Sequence, residues 1–168
     1  QSLELSITGS KSIDTKELRW HRISGTLQSS DVENGTEIEK ILSFSQAGNS
    51  KLTIHWNHDK DRHTHLFDLD SIRRSDTEEE VTLEWDGKTI GSKNSGKQTV
   101  KIPSRLDFIL TDARVISGEE QYLSLFFSDP ISTTQNLNGL IRISSLTSLK
   151  YLIEANEIRI FPGARLSG

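Results

Sequence analysis

Leu52-Thr53-Ile54-His55-Trp56-Asn57-His58, Asp59-Lys60-Asp61-Arg62 and His63-Thr64-His65-Leu66-Phe67-Asp68-Leu69 follow one another as run, tip and run. On each run apolar residues take every second position, the period of a strand with one buried face. A four-residue loop at 59–62 pairs His58 with His63, Trp56 with His65, Ile54 with Phe67 and Leu52 with Leu69. All four pairs then share a face that is apolar away from the tip. A one-residue slip would turn every one of these side chains to the other side, so the alternation specifies an antiparallel hairpin.

The same pattern extends outward from this hairpin. Val81-Thr82-Leu83-Glu84-Trp85 reads as a strand meeting Lys88-Thr89-Ile90 across Asp86-Gly87. Asp-Gly supplies the positive φ angles of a type I′ turn, which places Leu83 opposite Ile90. Tyr151-Leu152-Ile153-Glu154 and Glu157-Ile158-Arg159-Ile160 form a third hairpin about Ala155-Asn156, with Ile153 facing Ile158 and Tyr151 facing Ile160. Asn156 is the expected left-handed turn residue there. Residues 3–7, 19–27 and 37–44 also alternate. Ile38, Ile41 and Leu42 stand at near-helical spacing, and the surrounding strands favour a strand there over a helix.

Short strands with a turn about every ten residues describe sandwiches rather than a parallel sheet with crossover helices. A boundary falls near Ile102-Pro103-Ser104-Arg105, after a polar stretch at 91–101 rich in Gly, Ser and Lys. The expected fold is all-β: two tandem antiparallel β-sandwich domains of Ig-like kind, at 1–104 and 105–168. The second is either complete or cut short at its C-terminus. The chain begins at Gln1 with no charged-then-apolar leader and ends in a strand that opens another turn. It therefore reads as a piece of something longer.

Composition bounds the chemistry. Of 168 residues only 33% are hydrophobic, which suits thin layers with much surface rather than one large core. The formal net charge is -4, against the basic bias of a nucleic-acid binder. The part up to Ser104 holds 14 basic and 17 acidic residues and the remainder 6 and 7, so neither part is polarised towards a charged ligand. No apolar run approaches the roughly 20 residues that span a bilayer. With no cysteine there is no disulfide, thiolate nucleophile or thiolate metal site.

His55, His58, His63 and His65 lie within eleven positions of one another, beside Asp59 and Asp61. Imidazoles and carboxylates bind zinc, nickel or copper in suitable geometry. The hairpin register makes His58 and His63 neighbours at the tip, sets His65 further in on the same face, and turns His55 away. With no third ligand on the correct face, these histidines read as structural, and His58, His63 and His65 are the metal candidates if any metal is held. Asp59 and Asp61 lack the glycine and distal glutamate of a calcium loop.

Glu78-Glu79-Glu80 reads as a solvated acidic loop. No Gly-x-Ser-x-Gly elbow occurs, and no Ser/His/Asp set can be oriented. No catalytic or cofactor-binding residue is therefore assigned. Asn34-Gly35-Thr36 matches a glycosylation sequon and equally a turn. Trp56 and Trp85 read as core residues on the apolar faces of their hairpins. Trp20, in Leu18-Arg19-Trp20-His21-Arg22, has no such assignment. Aromatic side chains on a sandwich face can also stack on sugars, so a cell-surface Ig-like module for glycan or protein ligands is the alternative reading.

One resemblance covers nearly the whole chain. Tyr122-Leu123-Ser124-Leu125-Phe126-Phe127-Ser128-Asp129-Pro130 is followed by Gln135-Asn136-Leu137-Asn138-Gly139-Leu140-Ile141. This resembles the F-S-[DE]-P … L-x-G-L-I pattern in amino-terminal domains of bacterial alpha-2-macroglobulins. Upstream, Gly25-Thr26-Leu27-Gln28-Ser29-Ser30-Asp31-Val32-Glu33, Ile54-His55-Trp56-Asn57-His58 and the run from His65 to Arg74 resemble the preceding region in such proteins of Bacteroidetes. Phe127 is expected to end a buried strand, Asp129 to leave the sheet in extended form before Pro130, and Gly139 to open the next strand.

The resemblance implies non-catalytic, macroglobulin-like scaffold domains of a protease inhibitor that traps its target. In the family a cut bait segment collapses the cage, and in many members a Cys-x-Glu-Gln thioester captures the protease. Ser117-Gly118-Glu119-Glu120-Gln121 echoes that motif without its thiol, and no bait region is identifiable. The implied partners are neighbouring domains of the same parent chain and, through the full-length protein, proteases. The implied location is extracytoplasmic, in the periplasm or at the cell surface, with a lipid anchor as one means of attachment.

Overall fold

The computed structural model describes residues 1–61, 63–144 and 148–163, and the chain divides into two units, Gln1–Asp107 and Phe108–Gly168. The fold is all-β, with three antiparallel sheets.

The first unit contains β1 (Leu3–Ser12), β2 (Trp20–Ser29), the short helix α1 (Gly35–Ile38), β3 (Leu42–Gln46), β4 (Thr53–His58), β5 (Thr64–Arg73), β6 (Glu79–Asp86) and β7 (Ser95–Ile102). One sheet has the order β1-β2-β5-β4 and the other β3-β6-β7. Ile23, Phe67, Leu69 and Ile72 from the first pack with Leu42, Val81, Leu83 and Ile102 from the second. A smaller cluster of Leu3, Leu27, Ile38, Ile41 and Ile90 sits beside it. Each such Leu or Ile contributes about 1.5–3 kcal/mol when fully buried, so single faces suffice to hold the layers together.

The hairpin at 52–69 forms, but its register differs from the expectation. His58 faces His65, Trp56 faces Phe67 and Ile54 faces Leu69. The loop still has four residues but moves one place along, because the Asp59 N–H bonds the Thr64 carbonyl at 2.9 Å. Moving the loop by one moves the pairing by two. A shift of two keeps every side chain on its face, so alternation alone does not select between the two registers.

The Asp86-Gly87 hairpin does not form. Asp86 is extended, and its carboxylate accepts the Lys88 N–H at 3.1 Å, capping a 3-10 turn at Gly87–Ile90 that ends at Gly91 with φ 73°. That turn sends Ile90 into the smaller core, and β6 pairs instead with β7, which begins within the polar stretch at 91–101, earlier than the short strand expected from Thr99-Val100. Gly96 stands opposite Trp85, whose indole covers it so closely that a Cβ there would lie 2.9 Å from ring atoms. Residues 33–41 are likewise not a strand, and of the alternating run at 37–44 only Leu42 onward is extended, as the start of β3. Asn34 caps α1 by accepting the Thr36 N–H at 3.1 Å. Ile38 and Ile41 then point inward from the helix and the turn that follows it.

The second unit contains β8 (Leu110–Ile116), β9 (Tyr122–Phe127), β10 (Lys150–Glu154) and β11 (Glu157–Phe161), in the order β10-β11-β9-β8. The last hairpin matches its expected register pair for pair, including Ile153 with Ile158 and Tyr151 with Ile160. Its left-handed residue, however, is Ala155 with φ 53°, and the adjacent Asn156 is buried. The Asn156 side-chain amide donates to the Phe127 carbonyl at 2.7 Å, and the Asn156 backbone carbonyl accepts the Phe127 N–H at 2.8 Å. This pair of hydrogen bonds to β9 keeps Asn156 inward. One face of the sheet, with Leu123, Leu125, Ile158 and Ile160, is covered by Ile131, Leu137, Ile141, Ile143 and Leu149 from the long connection. Gly139 lies in that connection with φ 79° and opens no strand, residues 140–144 being irregular. No helix among the described residues is long and apolar enough to cross a membrane.

Candidate functional site

The histidines meet at the hairpin tip in a different combination from the one the sequence predicts. The Nδ1 atoms of His58 and His65 are 2.9 Å apart, with the rings edge-on. A hydrogen bond between two ring nitrogens needs one protonated and one bare nitrogen. On its far side His58 Nε2 is 3.1 Å from Glu39 Oε1, just beyond α1. A carboxylate only accepts, so His58 donates to Glu39. The His58 ring also stacks on Trp56 and lies over Gly35, where a Cβ would come within 2.6 Å of it.

His63 is not part of this chain of bonds. Its carbonyl accepts the Ser29 N–H at 2.9 Å, and its Nδ1 lies 3.4 Å from the Ser29 carbonyl. His55 sits on the outer face, 3.7 Å from Asp70. No three histidine, aspartate or glutamate side chains among the described residues are grouped to hold a metal ion. The shift of register is the reason: it replaces His63 by the buried His65 opposite His58.

The acidic run is bonded rather than a free loop. Glu79 begins β6 and accepts from Arg73 Nε at 3.2 Å and Gln46 Nε2 at 2.6 Å, while Glu78 pairs with Lys101 at 3.0 Å. Glu78 in turn raises the Lys101 ammonium above its ordinary value. Asn34, the sequon residue, has its side-chain oxygen engaged by Thr36. Sequence reasoning missed one pair, Ser10 Oγ and His21 Nε2 at 2.7 Å on adjacent strands. His21 is fully buried, and the two residues lie near one another through the β1–β2 pairing, a relation that only a correct register reveals.

The tryptophans divide as expected for two of three. Trp56 packs 5.5 Å from Phe67 and Trp85 lies over Gly96, both against the main core. Trp20, at the start of β2, is 38% exposed. Its carbonyl accepts the Ile13 N–H at 3.0 Å, and Trp20 stands opposite Arg73 of β5. A cleft of about 560 Å³ borders it on the side of Arg19, Asp76 and Arg105, and another of about 410 Å³ on the side of Asp14, His55 and Asp70. Asp14 gathers the backbone N–H groups of Glu17 and Lys16, which hold its carboxyl below the usual range. Arg105 does the same to Asp76.

Comparison with protein-family models, with curated proteins and with solved structures gave no match.

Proposed function

We propose that the chain is a pair of non-catalytic structural domains from a bacterial alpha-2-macroglobulin-like protease trap, building the cage and docking neighbouring domains. The parent protein acts outside the cytoplasm, in the periplasm or at the cell surface. The observation that carries this reading is the use made of the Phe127-Ser128-Asp129-Pro130 motif. Ser128 and Asp129 are buried although polar. The Ser128 N–H donates to the Ile109 carbonyl at 2.9 Å, and its Oγ accepts the Ile109 N–H at 3.1 Å. With Asn156 holding Phe127, the motif knots the end of β9 to the start of β8 and to the β10–β11 turn. The motif's use for internal bonds fits a scaffold role. On β8, Leu110, Val115 and Ile116 remain exposed, which suits a unit that meets further domains.

The test is made on the full-length parent. Incubated with trypsin, elastase and subtilisin in turn, it should change mobility on a native gel. At least one protease should then lose activity on casein while keeping it on a small peptide substrate. Undiminished casein cleavage by all three overturns the proposal.

A further inference from the structure

We propose that Trp20 and the two clefts beside it form a binding site for a neutral oligosaccharide, a function separate from the scaffold role. An exposed indole offers a flat apolar face together with an N–H, the combination that suits the C–H face and hydroxyls of a sugar ring. The backbone beneath it is pinned from both sides: Ile13 donates to the Trp20 carbonyl, and Trp20 pairs with Arg73. A backbone already fixed loses little freedom on binding. Clefts on either side accommodate a chain of rings that continues past the indole, rather than a single ring.

The polar groups define the ligand class. Arg105 is paired with Asp76, Arg73 with Glu79, Arg19 with Glu17, and Arg22 with Asp70 at 2.6 Å. Asp14 is instead held by the backbone N–H groups of Lys16 and Glu17, and Arg74 donates to backbone carbonyls, so the clefts present planar donors and acceptors in fixed places with most of their charges paired. Such paired groups bond neighbouring hydroxyls well and give a phosphate or carboxylate ligand little net attraction. Extended proline-rich peptides, by contrast, dock in grooves lined by several aromatic rings. Among the described residues, Trp20 is the one Phe, Tyr or Trp that lines either cleft.

Isothermal titration of the whole chain with cellohexaose, xylohexaose, mannohexaose, maltohexaose and laminarihexaose tests this, with heparin and a decaproline peptide alongside. At least one neutral hexaose should bind. Trp20→Ala should weaken it about tenfold or more, as expected when a stacked aromatic platform is lost. Trp56→Phe, a change in the core, should leave binding unchanged, and Asp76→Asn should weaken it with the circular dichroism spectrum retained. The inference is overturned if no hexaose binds, if Trp20→Ala binds as the native chain does, or if only heparin or the peptide binds through Trp20. A protease trap can carry or lack this site, so neither proposal's failure decides the other.

Discussion

Gly25 of β2 lies directly opposite Phe67 of β5, and the Phe67 ring folds back over it. A Cβ on Gly25 would stand 2.8 Å from Phe67 Cε1 and 2.7 Å from the Ser6 carbonyl oxygen of β1. The glycine is therefore what lets a fully buried phenylalanine lie flat across the middle of the sheet, between Trp56 on one side and the main core beneath. Its role is one of space, since no unusual backbone angle is involved at this position.

Gly25→Ala should destabilise the first unit by about 3 kcal/mol, because a packed core yields poorly to an inserted carbon. Phe67→Leu in the same chain should recover part of that loss by removing the ring, but not the part due to the Ser6 carbonyl. Urea denaturation followed by tryptophan fluorescence measures both, since all three tryptophans belong to this unit. Purely additive losses in the double variant would count against the packing argument.

Arg74 is a fully buried arginine whose guanidinium donates to a run of backbone carbonyls. Its Nε donates to the Pro103 carbonyl at 2.8 Å, and its Nη2 to those of Ser104 at 2.7 Å and Asp107 at 3.2 Å. This fork binds the segment at 103–107 into the first unit. Arg74→Met should cost about 3 kcal/mol by leaving those carbonyls without donors, and Arg74→Lys less, because its ammonium still serves some of them although it cannot span them all. Both variants should also be cut faster by trypsin after Arg105. Unchanged cleavage at that bond would show that the segment is held by something else.

In the second unit Glu157 accepts from Arg159 Nε at 3.0 Å and Nη2 at 2.9 Å, and from Ser124 Oγ at 2.6 Å. The Arg159 hydrogen bonds are the main cause holding its carboxyl below the usual range, with Ser124 adding to them. A carboxyl lowered on folding contributes stability that is complete above the unfolded value. That contribution is lost as pH falls through the folded one. Glu157→Gln should therefore cost about 1 kcal/mol at pH 7 and progressively less as the pH is lowered below about 4. Hydrogen exchange of the β9 and β11 amides at several pH values reads this out. An equal cost at every pH would remove Glu157 as the source.

How far the fold was legible depended on what fixed each register. At 151–160 a two-residue turn left no freedom, and every pair was readable. At 52–69 alternation identified the face, but a four-residue tip can sit at 59–62 or 60–63, and only the Asp59–Thr64 backbone bond selects the latter. That ambiguity carried over to the candidate site, turning a His58–His63 pair into a His58–His65 pair with Glu39 beyond it. Asp86-Gly87 misled for another reason: a carboxylate that prefers to cap Lys88 outweighs the turn propensity of the dipeptide. Trp20 had no assignment because its exposure arises from its position at the first residue of β2, with a cleft on either side.

Gln46 closes the sandwich from its end. It belongs to β3 of the second sheet, yet its amide completes the backbone of Arg73 at the end of β5 in the first. Nε2 donates to the Arg73 carbonyl at 2.7 Å, and Oε1 accepts the Arg73 N–H at 2.8 Å. The remaining amide positions are filled by Glu79 at 2.6 Å and Asn49 at 2.8 Å. Gln46→Glu keeps the shape but replaces two donors by an acceptor, aimed at a carbonyl and a second carboxylate. The introduced carboxyl is raised above its unfolded value by this burial and by Glu79. A group raised on folding leaves stability intact below the unfolded value, about 4.3 for glutamate, and removes it as pH rises through the folded one. The variant should thus lose about 2–3 kcal/mol near pH 8 and lie closer to the native chain near pH 4. Chemical denaturation at the two pH values distinguishes this from a simple packing defect, for which the loss would not depend on pH.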